Sequence, residues 1–174
     1  GSYSSSSTPI LTSGLTAVRN LSAGDQFTCA VTNGSAKCWG KNDHGQLGNN
    51  SLVTSNVPVQ VQGLNAGVQS IAVGKNHACA IVDGGVWCWG AGTLGQLGNG
   101  ASLDSSVPVH VTGVGGVGFI TGARNISLGT DQSCATANGQ ALCWGGNGTG
   151  QLGNNTIIAS NTPVQVNGLA SGAH

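Results

Sequence analysis

Six cysteines fall into three pairs, Cys29/Cys38, Cys79/Cys88 and Cys134/Cys143, and each pair brackets eight residues centred on an Asn-Gly or Asp-Gly dipeptide. Asn33-Gly34, Asp83-Gly84 and Asn138-Gly139 suit two-residue type I′ turns, in which both central residues take positive φ. Counting outward from Asn33-Gly34 pairs Thr32 with Ser35, Val31 with Ala36, Ala30 with Lys37 and Cys29 with Cys38. The fourth pair out is a non-hydrogen-bonded pair, with Cα atoms ~4.5 Å apart and within disulfide reach. The same count joins Cys79 to Cys88 and Cys134 to Cys143. Each bridge closes a loop of about ten residues and stabilises by roughly 2.5 to 3 kcal/mol on the chain-entropy estimate. Three such bridges call for an oxidising compartment, hence a secreted, periplasmic or cell-surface location, of which extracellular or cell-surface is the one expected. The rival reading, three two-thiolate metal sites, is disfavoured because the gap is not a usual zinc-ligand spacing and no His recurs beside the pairs.

The cysteines also mark a repeat. The triplets Cys38-Trp39-Gly40, Cys88-Trp89-Gly90 and Cys143-Trp144-Gly145 recur after 50 and 55 residues. Each leads into a Gly-Gln-Leu-Gly-Asn run at Gly45 to Asn49, Gly95 to Asn99 and Gly150 to Asn154, and then a Pro-anchored strand starting at Val57, Val107 or Thr162. A period near 50 with several short strands is the signature of propeller blades. One repeat is read as four strands, about Val18 to Ala23, Gln26 to Thr32, Ser35 to Gly40 and Val57 to Gln62. The predicted organisation is a Ser-rich flexible terminus at 1–7, blade repeats at 8–56, 57–106 and 107–161, and an extra strand with a tail at 162–174. Cross-strand counting sets Trp39 opposite Thr28, Trp89 opposite Ala78 and Trp144 opposite Ser133, a large ring against a small residue each time, which predicts core positions. Trp87 stands where the other repeats have Lys37 and Leu142 and is the better candidate for an exposed contact.

These motifs resemble the regulator of chromosome condensation repeat family over nearly all of residues 8 to 169. The resemblance implies a circular β-propeller scaffold, usually of seven blades, that presents loops. It also implies a structural role for Gly45, Gly48, Gly95, Gly98, Gly150 and Gly153. Functions in that family range from nucleotide exchange on a small GTPase and chromatin binding to inhibition of secreted enzymes, so the fold alone does not choose among them. The paired cysteines point to an extracellular, bacterial branch.

Composition narrows the partners. Charged residues make up 6 % of the chain, and the formal net charge is zero. Nucleic acid and anionic lipid both demand clustered Lys or Arg, so neither is an expected partner. No apolar run approaches the ~18 residues of a membrane span, and no signal peptide precedes the first residue, which predicts a mature or excised form. Little charge repulsion keeps copies apart, which favours self-association.

Catalytic and metal-binding patterns are missing. His44, His77, His110 and His174 lack metal-ligand spacing. Gly145 to Gly150 lacks the Lys and hydroxyl of a phosphate loop, and no nucleophile elbow occurs. No enzyme activity and no cofactor are expected. Candidate contacts are Asn42, Asp43 and His44 in the first long loop, Trp87, and Phe119 and Ile120 in an apolar insertion of the third repeat. Sequons at Asn20, Asn33, Asn49, Asn125, Asn147 and Asn154 are candidate glycosylation sites.

Closed propellers hold about four to eight blades, and three leave open edges. The expectation is an extracellular structural protein that self-associates through those edges into an oligomer or filament, with Thr8 to Leu15 donated across a junction. The alternative is a module that recognises a secreted protein or a glycan through its long loops.

Overall fold

The computed structural model describes residues 7, 8 and 11–169. Its twelve strands are β1 (Val18–Ala23), β2 (Phe27–Thr32), β3 (Ser35–Gly40), β4 (Ser55–Gln60), β5 (Val68–Val73), β6 (His77–Val82), β7 (Gly85–Gly90), β8 (Ser105–His110), β9 (Ala123–Leu128), β10 (Gln132–Ala137), β11 (Gln140–Gly145) and β12 (Ser160–Gln165). They form three antiparallel four-stranded sheets, β1-β2-β3-β4, β5-β6-β7-β8 and β9-β10-β11-β12. The protein is thus all-β, three propeller blades in a ring that the described residues do not close. One short 3-10 turn, Val114–Gly116, is the sole helical element among them, and no helix is long and apolar enough to cross a membrane.

The hairpins follow from turn chemistry. Asn33 and Gly34 have φ of 50° and 75°, Asp83 and Gly84 50° and 77°, Asn138 and Gly139 52° and 76°. Register then runs as counted: Thr32 faces Ser35 and Cys29 faces Cys38, with the same offsets in the other two sheets. All three disulfides are formed, with Cα atoms 4.1, 4.0 and 4.1 Å apart.

Inner strands β1, β5 and β9 line the axis side, where β5 touches β1 and β2 of blade 1 and β9 touches β5 and β6 of blade 2, and β4, β8 and β12 form the outer rim. Alternating residues face the two neighbouring blades. The first core combines Cys29, Val31, Cys38 and Leu47 of blade 1 with Ile71, Ala80 and Trp89 of blade 2. The second combines Cys79, Ile81, Val86 and Leu97 of blade 2 with Ala135, Leu142 and Trp144 of blade 3. The apolar cores therefore lie between sheets, and a blade buries a face only against its neighbour.

Several expectations are corrected. The fourth strands begin two residues earlier than the Pro-anchored motif suggests, at Ser55, Ser105 and Ser160. Each closes its own sheet, so boundaries drawn at 56/57 and 106/107 fall inside β4 and β8. For the same reason β12 is the ordinary rim strand of blade 3 and no extra strand. Residues 170–174, and most of 1–7, lie outside the described residues. Of Thr8 to Leu15, the described part forms no strand. This arm lies against its own blade: the Lys37 ammonium donates to the Gly14 carbonyl, and the Thr32 hydroxyl donates to the Thr16 carbonyl just after it.

Candidate functional site

The two internal junctions repeat one set of contacts. At the first, the Val68 amide donates to the Gly34 carbonyl, the Trp89 indole to the Gln46 carbonyl and the Asn50 amide to the Ser106 carbonyl, each at 2.9 Å. At the second, Ala123 donates to Gly84, the Trp144 indole to Gln96 and Gly100 to Asn161, again each at 2.9 Å. The Gly-Gln-Leu-Gly-Asn run thus receives the tryptophan of the following blade. Its first glycine allows the approach: a Cβ on Gly45 would stand 2.5 Å from Ser106 Cα, and one on Gly95 2.6 Å from Asn161 Cα.

Each junction also has its own polar pin. At the first, Asn20 Oδ1 accepts from the Ile71 amide (2.7 Å) and Ser22 Oγ from the Val73 amide (3.1 Å). At the second, His77 Nε2 lies 3.0 Å from Ser133 Oγ, which donates to the Gln96 carbonyl at 2.9 Å. With the Ser133 proton given to Gln96, that relay requires a proton on His77 Nε2, which is the donor to Ser133. Burial lowers the His77 pKa from 6.5 to about 4, against a hydrogen bond to the Gln132 backbone that raises it.

The outermost faces carry the same parts without a neighbour. On blade 1, the head face, Trp39 is half-buried where Trp89 and Trp144 are fully buried, and its indole N–H finds no acceptor among the described residues. Its expected core position is corrected on that ground: the ring is buried by a preceding blade, and none covers it here. Leu21 is 59 % exposed while its counterpart Ile71 is 3 % exposed. On blade 3, the tail face, Gln151 is exposed where Gln46 and Gln96 are buried. A Cβ on Gly150 would meet only the Thr156 carbonyl oxygen, at 3.9 Å.

Candidate contact residues separate into groups. Trp87 and Phe119 come together by sandwiching His110, with ring centroids 4.4 and 4.2 Å apart and planes 4° and 11° from parallel. Burial in this stack lowers the His110 pKa. Trp87 also lines an apolar rim groove of about 340 Å³ between blades 1 and 2, with Leu64, Val82, Val107 and Pro108. At the second junction the insertion turn Val114–Gly116 packs against β12. Phe119 is 57 % exposed, whereas Ile120 is 3 % exposed and belongs to the second core, so it is no contact residue.

Asn42 is corrected too. It is fully buried, its amide donating to Asn49 Oδ1 and the Ser51 and Val53 carbonyls while its Oδ1 accepts from the Leu47 amide. Asn147 repeats this clamp with Asn154, Thr156, Ile158 and Leu152. Buried and so engaged, Asn147 offers no amide to a glycan in the folded chain. The other sequon residues, Asn20, Asn33, Asn49, Asn125 and Asn154, are exposed or half-buried. In the second repeat Gly92 replaces the clamp residue, and Asp104 accepts from its amide at 2.9 Å. Asp104 also pairs with His44 Nδ1 at 2.8 Å, tying blade 2 to the first long loop. Asp43 stays exposed, paired with Lys41 at 3.0 Å.

At the axis an open cavity of about 500 Å³ is lined by the β1-β2, β5-β6 and β9-β10 turns, including Asp25, Lys75 and Thr130. Opposite charges there give it no single-sign field. Among the described residues no three His, Cys, Asp or Glu side chains converge. Sequence reasoning missed His110 in the stack, Asp104 in the clamp and the openness of Trp39.

Residues 33–81, 83–136 and 138–173 match the sequence profile of the regulator of chromosome condensation (RCC1) repeat, and a second profile of that repeat matches 18–46 and 68–96. Comparison with curated protein sequences gave no significant match. Among solved structures, human WBSCR16 superposes with a TM-score of 0.72 at 25 % identity, over 86 % of this chain and 39 % of that one. Yeast RCC1 (Prp20), solved bound to Kap60, gives 0.71 at 22 % identity over 88 % and 37 %. Prp20p of Saccharomyces cerevisiae, reported with its binding properties to Gsp1p and histones, gives 0.70 at 22 % over 88 % and 39 %. The chain therefore spans about two-fifths of the length of these solved relatives.

Proposed function

Because the chain belongs to the regulator of chromosome condensation repeat family, we propose that it is a non-enzymatic, extracellular protein-interaction scaffold that associates with further copies of itself through its open blade faces. The observation that carries this reading is the exposed head face, where Trp39 and Leu21 keep the residue types that internal junctions bury. Exposed apolar side chains set in a repeated hydrogen-bonding pattern are features of a contact surface. The three disulfides support the extracellular part, since such bonds persist in oxidising compartments. Protein binding agrees with the yeast relative RCC1 (Prp20), whose structure was solved with Kap60 bound. Sedimentation of the oxidised chain across a hundredfold concentration range tests the proposal. It expects mass to rise with concentration, and a constant single-chain mass contradicts it.

A second reading rests on the rim. The Trp87–His110–Phe119 stack and the groove beside it offer aromatic and apolar surface to a secreted protein or a glycan. It expects Trp87→Ala to abolish such binding while leaving solution mass unchanged.

A further inference from the structure

We infer that the long loops after β3, β7 and β11 form a lipid-contacting face, whose exposed aliphatic tips insert into the interface of a neutral phospholipid bilayer without spanning it. The second residue before each rim strand is a large aliphatic: Val53, Leu103 and Ile158 are exposed by 73, 71 and 73 %. Leu52 and Ile157 precede two of them and are exposed as well. A single exposed aliphatic is ordinary, but the same position open in every repeat is a built feature. The inference goes beyond the self-association reading and does not rest on it.

The tips share one end of the molecule. In an antiparallel meander the first turn and the third connection leave from the same end, and the first turns of all three blades line the axial cavity. Positions related by the same step from blade to blade lie at one height along the axis, as a planar bilayer surface requires. Polar groups hold the loops in place. Buried Asn42 donates to the Val53 carbonyl at 3.1 Å, buried Asn147 donates to the Ile158 carbonyl at 3.0 Å, and Asp104, next to Leu103, accepts from the Gly92 amide at 2.9 Å. These bonds engage the backbone inward while the aliphatic side chains stay in water. Adjacent loops are tied by the Asn50 amide on the Ser106 carbonyl and the Gly100 amide on the Asn161 carbonyl. Tips ordered in advance lose little freedom on contact.

The variation among the tips selects a bilayer as their occupant. One position carries Val, Leu and Ile, and the position before it Leu, Ser and Ile. A rigid partner would need a differently shaped pocket for each tip, whereas fluid acyl chains accept any aliphatic. No tip is aromatic, so none offers a ring for stacking on a sugar. Charges in the loops are paired, Lys41 with Asp43 and His44 with Asp104, and Lys75 shares the axial cavity with Asp25. With no basic cluster at this end among the described residues, binding comes from apolar burial and not from attraction to anionic headgroups.

The test is flotation of the oxidised chain with vesicles of phosphatidylcholine alone and of phosphatidylcholine mixed with phosphatidylserine. The wild-type is expected to float about equally with both, and to stay bound in high salt. The combined variant Val53→Ser, Leu103→Ser, Ile158→Ser should bind at least about tenfold more weakly, with its fold checked by circular dichroism. Trp87→Ala, at the rim, should bind as the wild-type does. If the combined variant fails to fold, Leu103→Trp decides, because its added indole should be quenched by lipids brominated on their acyl chains. A wild-type that ignores both vesicles overturns the inference and assigns the tips to a protein partner. Binding that needs phosphatidylserine and is lost in high salt, a combined variant that binds equally, or an unquenched Trp at 103 overturns it too. Solution mass without lipid, which decides self-association, is measured separately and is untouched by any of these results.

Discussion

Trp39 and Trp89 occupy the same register position in adjacent sheets, opposite Thr28 and Ala78, yet one is half-exposed and the other fully buried. Their hairpins differ little, since each carries the same turn, disulfide and Cys-Trp-Gly triplet. What differs is the neighbour, because Trp89 has the Gly45 to Asn49 run of blade 1 and Trp39 has no such run against it among the described residues. In this architecture the fold of a blade is local, and the burial of its core is a property of the junction.

Substitution sharpens that contrast most. Trp89→Ala should cost about 3 to 5 kcal/mol, the usual range for a fully buried Trp. Trp39→Ala should cost about a third of that in the single-chain state. Denaturant melts at low protein concentration measure both, and equal losses would break the comparison.

Protonation acts next, and at one junction only. Neutral His77 is favoured in the fold, where its pKa is about 4 against 6.5 for a free imidazole. Stability is therefore full above pH 6.5 and falls as pH drops from 6.5 towards 4. At about 1.4 kcal/mol per pH unit the total loss approaches about 3 kcal/mol. His110, also lowered by burial, adds a smaller loss of the same sign. His77→Gln, the residue that blade 3 carries at Gln132, should flatten most of this slope in melts between pH 4 and 7. An unchanged slope would remove the relay from the account.

The smallest effect concerns reduction. Cys29, Cys38, Cys79 and Cys88 are fully buried inside junctions, whereas Cys134 on the tail face is half-buried. Under mild reductant, timed alkylation of the native chain should label Cys134 and Cys143 first. Simultaneous labelling of all three pairs would mean that the junctions open as readily as the tail face.

The sequence carried the hairpins fully, because an Asn-Gly or Asp-Gly turn fixes register residue by residue and the cysteines confirm the count. It carried the repeat and blade architecture for the same reason. The phase of the fourth strand was harder, since Pro58 and its counterparts mark a strand's middle and not its start, while Ser55 and Ser105 begin pairing opposite a bulge at Gly40 and Gly90. The site was only partly legible. Asn42 looked like a polar contact because composition does not show that four hydrogen bonds bury it. Ile120 and Phe119 are adjacent and apolar, and only the path of the insertion turns one inward and leaves the other stacked on His110. Asp104 replaces a clamp residue missing from its own repeat at Gly92, a compensation between positions twelve residues apart that no local motif reveals.

The most direct measurement follows the indole N–H signals of the four tryptophans by NMR hydrogen exchange at increasing protein concentration. If open faces are contact surfaces, Trp39 exchanges fast in dilute solution and slows towards Trp89 and Trp144 as concentration rises, while Trp87 at the rim keeps its rate. A Trp39 indole that exchanges equally fast at every concentration would contradict the account.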